Sequence, residues 1–386
     1  MLPALDEAEA RHSAALLQHI LSRIRAAGGF LDFEAFMNLA LYAPGLGYYS
    51  AGSAKLGAAG DFTTAPEASG LFGRCVARQC AQILQITGGG DILELGAGTG
   101  SMAAAVLTEL AALDALPGHY DILEVSADLA DRQRQRLDAL PRPLRERVRW
   151  LEHLPAAPLN GVILANEVLD ALPCRRFLVR GTSVEELGVT CADGALAWSA
   201  RPADAALTAA VRELAPQHGA PLAPGYASEV CRLAEPWIAS LAACLERGVM
   251  LLFDYGLPRA QYYHPDRATG TLTCHFRHRA HFDPLINVGV QDITAWVDFT
   301  RVARAGQAAG LAVLGFGTQA GFLLGAGIDA LLGEARDERE RARLAGEARR
   351  LLLPGEMGEA YKLLALGRGI DAPLMAFTHQ DLSDSL

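Results

Sequence analysis

The residues best suited to chemistry in this 386-residue chain are two acids that flank a glycine-rich turn. Glu94 ends an apolar run and lies two residues before the first glycine of a G-x-G-x-G sequence, formed by Gly96, Gly98 and Gly100. Glu124 ends the next apolar run, where a carboxylate can accept hydrogen bonds from both hydroxyl groups of a ribose. Strand, glycine turn and helix together predict a nucleoside-binding corner.

The ligand of this corner follows from the spacing and the charges. A dinucleotide site presents backbone N–H groups to a pyrophosphate, and its G-x-G-x-x-G sequence places the third glycine one residue later than it lies here. S-adenosylmethionine carries a sulfonium cation and no phosphate, so its site needs close backbone approach and nearby carboxylates. The sequence therefore favours S-adenosylmethionine, with S-adenosylhomocysteine as product, and we expect Ala97 and Val125 to contact it as well.

A second group of polar residues follows the fourth predicted strand. Asn166, Glu167 and Asp170 lie where open α/β sheets bind ligands, outside the carboxyl ends of the strands. Carboxylates there can hold a cationic acceptor such as a guanidinium and orient it towards the methyl group, so these residues are catalytic candidates. The alternative is that Asn166 and Asp170 only cap the turn. Asp254, at the end of the fifth strand, is a weaker candidate, and a strand-terminal turn explains it about equally well.

The stretch 60–67 has the chemistry of a helix start. Thr64 is predicted to cap a helix, Glu67 to complete a capping box, and Pro66 is tolerated in a first turn. The helix is expected to run to about Leu84.

Three histidines, His275, His278 and His281, have a spacing that a zinc site could use. Neighbouring arginines would repel a cation, so we expect no metal there. A loop that packs over the active site is the preferred interpretation.

The elements that must position these residues form an α/β fold. Apolar runs suited to strands buried on both faces occur near 91–95, 120–125, 148–151, 161–166, 248–254, 311–317 and 360–366. With crossover helices between them, these runs predict a doubly wound, seven-stranded, Rossmann-like sheet.

The remaining segments predict the domain organisation. Residues 1–90 are expected to be a helical N-terminal extension that contributes to the cofactor site, and 91–175 with 247–368 the core. Residues 176–246 are an α+β insertion between the fourth and fifth strands, with a hairpin turn at Asp193-Gly194 and helices over 203–215 and 228–246. Residues 369–386 are expected to be a weakly held tail.

Composition disfavours several classes of protein. The net charge of −10 argues against a nucleic-acid partner, and the arginine-rich stretch 132–149, interrupted by acids, is interpreted as a solvated face. No apolar run approaches the roughly 20 residues needed to cross a bilayer. Seven cysteines without a C-x-x-C pair are typical of a reduced compartment. With no recognisable targeting peptide, the sequence predicts a cytoplasmic protein.

Together these segments resemble the MidA family of class I S-adenosylmethionine-dependent methyltransferases, over about residues 29–368. The resemblance is carried by 60–67 (G-D-F-T-T-A-P-E), 94–100, 166–173 (N-E-V-L-D-A-L-P), 254–256, 283–284, 292–299 and 357–359. It implies that Asp61, Phe62, Thr63, Thr64 and Pro66 fold over the cofactor. It also implies that residues 94–100 and Glu124 hold the cofactor and that residues 166–173, with Asn166 near both ligands, face the acceptor. Trp296 departs from the family pattern, in which histidine is more common, and is given no catalytic role.

The resemblance also implies an acceptor, because mitochondrial members of the family are complex I assembly factors that methylate an arginine of a complex I subunit. A protein substrate of that kind is therefore expected here, and a homodimer is an open expectation. Two other functions remain as alternatives. One is a non-enzymatic assembly factor in which the cofactor is structural, and the other is a nicotinamide-dependent oxidoreductase, which the glycine spacing and Glu94 disfavour.

Overall fold

The computed structural model describes residues 2–51, 64–214 and 222–386, and its centre is a mostly parallel sheet. In spatial order the seven main strands are Ala312–Thr318, Tyr361–Arg368, Leu245–Leu257, Leu159–Asn166, Asp91–Leu95, Tyr120–Leu123 and Val148–Leu151. Tyr361–Arg368 is antiparallel to both neighbours, and the other neighbouring pairs are parallel. The α/β prediction is confirmed, and each predicted strand is present. A short eighth strand, Val297–Asp298, pairs with the end of Leu245–Leu257 and was not predicted.

Helices cover both faces of this central sheet, which explains why its strands are apolar on both sides. On one face, Ile92 packs with residues of the helices Gly70–Thr87 and Ser101–Ala112. On the other, Leu93 belongs to a core shared with Ala234–Ala243 and Phe299–Ala308. Successive strand residues point to opposite faces, so the two cores alternate along each strand.

The helices of the described residues follow the predicted alternation with the strands. In chain order the α-helices are Glu7–Ala26, Phe33–Tyr42, Ala65–Ala68, Gly70–Thr87, Ser101–Ala112, Ala127–Leu137, Arg142–Arg145, Ala205–Arg212, Ala234–Ala243, Arg259–Tyr262, Phe299–Ala308, Gln319–Gly325, Ile328–Gly333 and Glu338–Leu352. Short 3₁₀ turns occur at Pro265–Arg267, Met375–Phe377 and Ser383–Ser385. No helix in this part of the chain is both long and apolar enough to cross a membrane.

A second sheet combines the insertion with the N-terminal segment. Its strands are Leu31–Asp32, Arg175–Arg180, Ser183–Ala192, Ala195–Pro202 and Ala227–Val230. The predicted hairpin at Asp193-Gly194 is confirmed by the pairing of Ala192 with Ala195. Leu31 pairs with Val189, which ties the N-terminal segment to the insertion.

The predicted helix over 228–246 is wrong in its first part. Ala227–Val230 is a strand antiparallel to Arg175–Arg180, and only Ala234–Ala243 is helical before the central strand begins at Leu245. The reason is a tertiary contact: the buried carboxylate of Glu229 accepts a 3.0 Å hydrogen bond from Arg176 on the neighbouring strand. Helical periodicity in a sequence does not reveal such a partner.

A three-stranded sheet carries the histidine segment. Thr273–Phe276 pairs with Arg279–His281 and with Asp292–Thr294. At the hairpin turn, Arg277 forms a 2.8 Å ion pair with Glu9 of the N-terminal helix. The predicted loop over the active site is therefore wrong for the histidines, none of which lines the cleft described below. Within residues 2–51, 64–214 and 222–386 there is no cluster of three or more His, Cys, Asp or Glu side chains that could hold a metal.

The predicted helix from Thr64 to Leu84 is two helices, and its capping box is absent. Thr64 makes no side-chain capping bond, and Ala65–Ala68 is a single turn. Ser69 starts the longer helix, its hydroxyl accepting a 3.0 Å hydrogen bond from the Leu71 N–H. The Glu67 carboxylate accepts instead from the Thr99 hydroxyl, so it joins this segment to the glycine turn.

Residues 369–386 are packed against the rest of the molecule, contrary to the prediction of a weakly held tail. Leu374 and Ala376 are buried, and the Ala376 N–H donates to Gln79 at 2.9 Å. Gln380 accepts from the Thr318 N–H, also at 2.9 Å. The segment is held by single contacts to distant residues rather than by a regular element.

The arginine-rich stretch 132–149 is confirmed as a charged surface. Most of its arginines pair with acids, as in Arg132 with Asp128 at 2.9 Å and Arg142 with Glu146 at 2.6 Å, whereas Arg145 and Arg147 donate to backbone carbonyls. Arginines neutralised in this way are poor candidates for a phosphate-binding patch.

Candidate functional site

One cleft opens at the carboxyl edge of the central strands Asp91–Leu95, Tyr120–Leu123 and Leu159–Asn166. Its empty volume, counted out to solvent, is about 820 Å³. The predicted residues on its wall are Thr64, Pro66, Glu94, Gly96, Ala97, Gly98, Glu124, Val125, Asn166 and Glu167. These residues come from four separate segments, and the sheet topology brings them together as the strand-end rule requires.

The glycine turn forms the floor of the cleft. Gly96, Gly98 and Gly100 have φ values of 62°, 55° and 81°, a region that side chains with a Cβ rarely adopt. A Cβ on Gly96 would lie 3.2 Å from Val168, and one on Gly100 would lie 3.3 Å from the backbone of Gln133. Glycine is thus needed at these two positions for both conformation and space. Gly100 starts the helix Ser101–Ala112 and is not on the cleft wall.

Glu94 lies at the inner end of the cleft and is 1% exposed. Its carboxylate accepts a 2.7 Å hydrogen bond from the Tyr120 hydroxyl. Burial raises the pKa of Glu94 to about 7. A cation placed beside such a carboxyl would stabilise its ionised form and lower its pKa.

Glu124 lies at the end of the neighbouring strand. One of its oxygens accepts from the Ser126 N–H and the other from the Gln133 amide, both at 2.9 Å. An ionised carboxylate has about four lone-pair sites, so two remain for hydroxyl donors. Val125 beside it is 77% exposed and borders the cleft as an apolar surface.

Asn166 and Glu167 form the opposite wall. Glu167 has a φ of 53°, unusual for a residue with a side chain. Its carboxylate accepts from the Asn166 amide and from the Tyr361 hydroxyl, both at 3.3 Å. Burial, reinforced by the charge of Asp170, raises the pKa of Glu167 to about 8.

The other two catalytic candidates, Asp170 and Asp254, lie behind this wall rather than on it. Asp254 is fully buried, and one of its oxygens accepts from the N–H groups of Leu169 and Asp170, at 2.9 and 3.2 Å. Burial raises the pKa of Asp170 to about 6, and burial together with Asp170 raises that of Asp254 well above its usual value. The geometry therefore supports the turn-holding interpretation of Asp254 and gives neither acid direct contact with a ligand in the cleft.

Two tyrosines that were not predicted from the sequence also line the cleft. Tyr42 and Tyr49 line the cleft with stacked rings whose centroids are 5.6 Å apart. The Tyr42 hydroxyl donates to the Ala171 carbonyl at 2.9 Å, and the Tyr49 hydroxyl donates to Asp292 at 3.1 Å. Both hydroxyls are thus engaged by the protein. The only sequence signal was the aromatic content of the turn-rich stretch 42–49, which does not indicate where those rings lie.

Of the remaining predicted residues, Asp61, Phe62 and Thr63 lie outside the described residues. Thr99, Val168 and Ala171 also line the cleft, and they fall inside the predicted segments 94–100 and 166–173. The other lining residues that were not predicted to contact a ligand are Glu67, Ser101, Met102 and Leu129. Glu67 could have been suspected because it ends the motif 60–67.

The donor set fits S-adenosylmethionine. Glu94 and Glu124 supply carboxylates, the glycines allow close backbone approach, and Val125, Met102 and Leu129 supply an apolar surface suited to a nucleobase. Within the described part of the cleft wall there is no lysine or arginine to meet a pyrophosphate. The site residues therefore match a cationic nucleoside better than a dinucleotide.

Comparison with known proteins gives the same result. Residues 75–317 match a family model described as S-adenosyl-L-methionine-dependent methyltransferase. A crystal structure of a COG1565 superfamily member from Burkholderia thailandensis, bound to S-adenosyl-homocysteine, is 41% identical over the whole length of both chains, with a TM-score of 0.95. Two proteins named mitochondrial protein arginine methyltransferase NDUFAF7 are each 29% identical over 91% of this chain. They come from Danio rerio and Homo sapiens, and the matches cover 86% and 83% of their lengths.

Proposed function

We propose that this chain transfers a methyl group to an arginine side chain of a protein. The chain belongs to the family of S-adenosyl-L-methionine-dependent methyltransferases matched above, and the proposal proceeds from that membership. The observation that carries the arginine proposal is Glu167, a carboxyl on the cleft wall opposite the cofactor residues. A guanidinium can pair with such a carboxyl through two parallel hydrogen bonds. The names of the relatives from Danio rerio and Homo sapiens support the same acceptor.

Stacked aromatic rings beside that carboxyl also suit a guanidinium. Tyr42 and Tyr49 line the same cleft as Glu167, and arginine packs well on aromatic faces. Both tyrosine hydroxyls are already bonded to the protein, so the rings offer their faces or edges rather than a polar group. A planar cation would meet an acid on one side and aromatic carbon on the other.

The chemistry requires mainly positioning. The cofactor supplies a methyl group on a sulfonium, and attack by nitrogen in line with the carbon–sulfur bond makes a carbon–nitrogen bond as the other breaks. Glu167, held by Asn166 and Tyr361, would orient the guanidinium and favour its positive charge as the bond forms. Burial raises the pKa of Glu167 in the free protein, and a guanidinium bound beside it would favour the ionised form. That carboxylate can then take the proton lost from nitrogen.

We also propose that the remaining site residues divide between the two ligands. Thr64, Pro66, Glu94, the glycine turn and Glu124 with Val125 would hold the cofactor, and Asn166 and Glu167 would face the acceptor. Asp170 and Asp254 would act by holding the turn that carries Glu167. A subunit of respiratory complex I is the proposed acceptor protein, following the family resemblance.

The experiment uses methyl-tritiated S-adenosylmethionine and an extract of cells that lack this protein. After incubation with the purified chain, the labelled proteins are hydrolysed to amino acids, and we expect the label in methylated arginine. Label confined to any other amino acid would overturn the arginine proposal. Glu167→Gln should lower labelling strongly while leaving S-adenosylhomocysteine affinity nearly unchanged.

The assembly-factor alternative predicts a different result in the same experiment. Tight binding of S-adenosylhomocysteine without transfer to any protein in the extract would mean that the cofactor serves a structural purpose. Glu124→Ala is the control for the cofactor site, since it should abolish both binding and labelling.

A further inference from the structure

Gln133 is a fully buried glutamine whose amide joins three parts of the cofactor corner. It lies on the helix Ala127–Leu137 and is 0% exposed. Its nitrogen donates to the Gly98 carbonyl and to Glu124, both at 2.9 Å. Its oxygen accepts from the Trp150 indole at 3.0 Å. A buried amide with all these bonds satisfied is rigid, because any rotation would leave several polar groups unpaired.

The orientation of this amide is fixed by chemistry. An indole N–H can only donate, so the group that faces Trp150 must be the amide oxygen. The two amide hydrogens then point to Gly98 and Glu124, which can only accept. Trp150 therefore determines which end of the glutamine faces the cofactor residues. Its own ring is covered by the guanidinium of Arg134, 5.2 Å from the ring centroid.

The bond to Glu124 sets the direction of that carboxylate. With one oxygen held by Ser126 and the other by Gln133, the carboxylate cannot rotate without losing a hydrogen bond. Its remaining lone pairs consequently point in fixed directions. Two hydroxyls of a ribose need such a fixed pair of acceptors.

The same residue supports the glycine turn. Gln133 holds the Gly98 carbonyl, and its backbone lies where a Cβ on Gly100 would come within 3.3 Å. The helix that carries Gln133 therefore packs directly on the turn. The Gln133 side chain thus holds both the glycine turn and the Glu124 carboxylate in place.

We propose that Gln133, oriented by Trp150, is a positioning residue that holds Glu124 and the glycine turn in the arrangement that binds the ribose. The inference rests on the cofactor placement proposed above and not on the identity of the acceptor. In metal sites, loss of a residue that hydrogen-bonds to a ligand residue changes affinity by about 10- to 100-fold, and we expect an effect of that size here.

The test is calorimetric titration of S-adenosylhomocysteine into four variants and the wild type. Gln133→Glu keeps the shape but turns a carboxylate oxygen towards Glu124 and Gly98, so we expect affinity to fall by about 100-fold. Trp150→Phe removes the indole donor and lets the amide turn over, so a loss of about 10-fold is expected.

The matched control is Gln79→Met, because Gln79 is also 0% exposed and bonded on both sides of its amide, but its partners Gln82 and Ala376 do not line the cleft. It should lower the melting temperature and leave the affinity within about twofold. If Gln79→Met lowers affinity as much as the Gln133 change does, Gln133 has only a structural role and the proposal fails.

Glu124→Ala separates this proposal from the one on which it rests. If Glu124→Ala keeps full affinity, the ribose placement itself is wrong. If Glu124→Ala loses affinity while Gln133→Glu and Trp150→Phe keep it, the ribose placement stands and the role of Gln133 is overturned.

A pH profile supplies a readout that general loosening would not change. Burial raises the pKa of Glu124, and the bonds from Ser126 and Gln133 oppose that rise. In Gln133→Leu the pKa of Glu124 should rise further, so affinity should begin to fall at a higher pH on acidification than in the wild type. Glu94 also titrates in this cleft, and the charge of Glu124 contributes to its raised pKa. A less ionised Glu124 would lower the pKa of Glu94, which shifts the profile in the opposite direction from the one expected. Identical profiles would contradict the proposal.

Discussion

Glu167 combines two features that reduce the stability of the protein. Its backbone has a positive φ, which costs of order 1–3 kcal/mol for a residue with a side chain. Its carboxyl is held in a place where burial opposes ionisation. Residues kept in such conditions are typical of functional sites, where the rest of the fold over-determines them.

Replacing Glu167 with glutamine should therefore stabilise the protein while removing activity. The pKa of Glu167 is raised from 4.5 to about 8, so the stability linked to its protonated form is fully present below about pH 4.5 and is lost as pH rises through 8. Glutamine does not ionise, so the melting temperature of Glu167→Gln should exceed that of the wild type increasingly between about pH 5 and pH 9. Thermal scans at several pH values measure this.

An exposed acid provides the control. Glu356→Gln, at an exposed position outside the cleft, should leave the melting temperature nearly unchanged at every pH. A constant difference between Glu167→Gln and the wild type across the pH range would mean that Glu167 is ionised in the folded protein throughout.

The sequence predicted the site residues that follow from strand order and missed those that follow from packing. Glu94, Glu124 and Asn166 end strands, and the rule for open sheets places such ends together. Tyr42, Tyr49 and Tyr361 reach the site from distant parts of the chain. Tyr361 begins a central strand, and Tyr42 and Tyr49 lie in the N-terminal segment. No local pattern specifies that residues so far apart in the chain meet at the same site.

At the scale of elements, the turn after Leu159–Asn166 is held by the neighbouring central strand. The Phe253 carbonyl accepts from the Glu167 N–H at 2.9 Å, and Asp254 accepts from Leu169 and Asp170. The turn that carries Glu167 is thus fixed by two successive residues of Leu245–Leu257.

Asp254→Ala should accordingly lower kcat for methyl transfer by at least about tenfold, because two buried N–H groups lose their acceptor and the turn shifts. S-adenosylhomocysteine affinity should stay within a few-fold of the wild type, since the glycine turn and Glu124 are untouched. Asp254→Asn, which retains one acceptor oxygen, should recover part of the activity. Equal loss of cofactor affinity and turnover would contradict a role confined to the turn.

The C-terminal segment gives a second prediction at this scale. A Cβ on Gly315 would lie 2.2 Å from the Phe377 ring, so Gly315→Ala should displace the segment and cost about 1–3 kcal/mol of unfolding free energy. Gly333→Ala is a matched control, because nothing lies within 4 Å of its Cβ position. Denaturant unfolding of both variants tests this, and equal stabilities would show that the segment carries little of the fold.

Strands that are continuous apolar runs could be predicted from the sequence. Segments that are held by single contacts to distant residues could not. The seven main central strands are apolar runs, and all seven were found from the sequence, whereas the two-residue strand Val297–Asp298 was not. Ala227–Val230 and the segment 369–386 depend on Arg176, Gln79 and Thr318, which lie far away in the chain. Their structure therefore became evident only when those partners were located.

At the scale of the whole molecule, two bodies meet at the cleft. Most of the residues proposed to hold the cofactor follow strands of the central sheet, whereas Tyr42 and Tyr49 belong to a body built from the N-terminal helices, the insertion and the histidine hairpin. Leu16 and Val189 lie in the core of that second body. We propose that the two bodies divide the work, one for each ligand.

Loosening the second body should consequently affect the acceptor more than the cofactor. Leu16→Ala, at a 0% exposed site, should cost about 2–5 kcal/mol of stability and raise KM for the protein acceptor with little change in S-adenosylhomocysteine affinity. Leu331→Ala is the control, a leucine of equal burial in a core of the central sheet. It should cost similar stability without the selective change in KM, and a parallel change in both variants would refute the division.

The pairing of Leu31 with Val189 has a consequence for synthesis. The N-terminal helices cannot complete their core until a strand about 160 residues further on has left the ribosome. At about 5–20 residues per second that delay is roughly 10 to 30 seconds. Throughout it the apolar side chains of Phe33–Tyr42 have no partner from the insertion. These helices therefore wait for a partner that is made much later, and a chaperone that covers them during translation should raise the yield of folded protein.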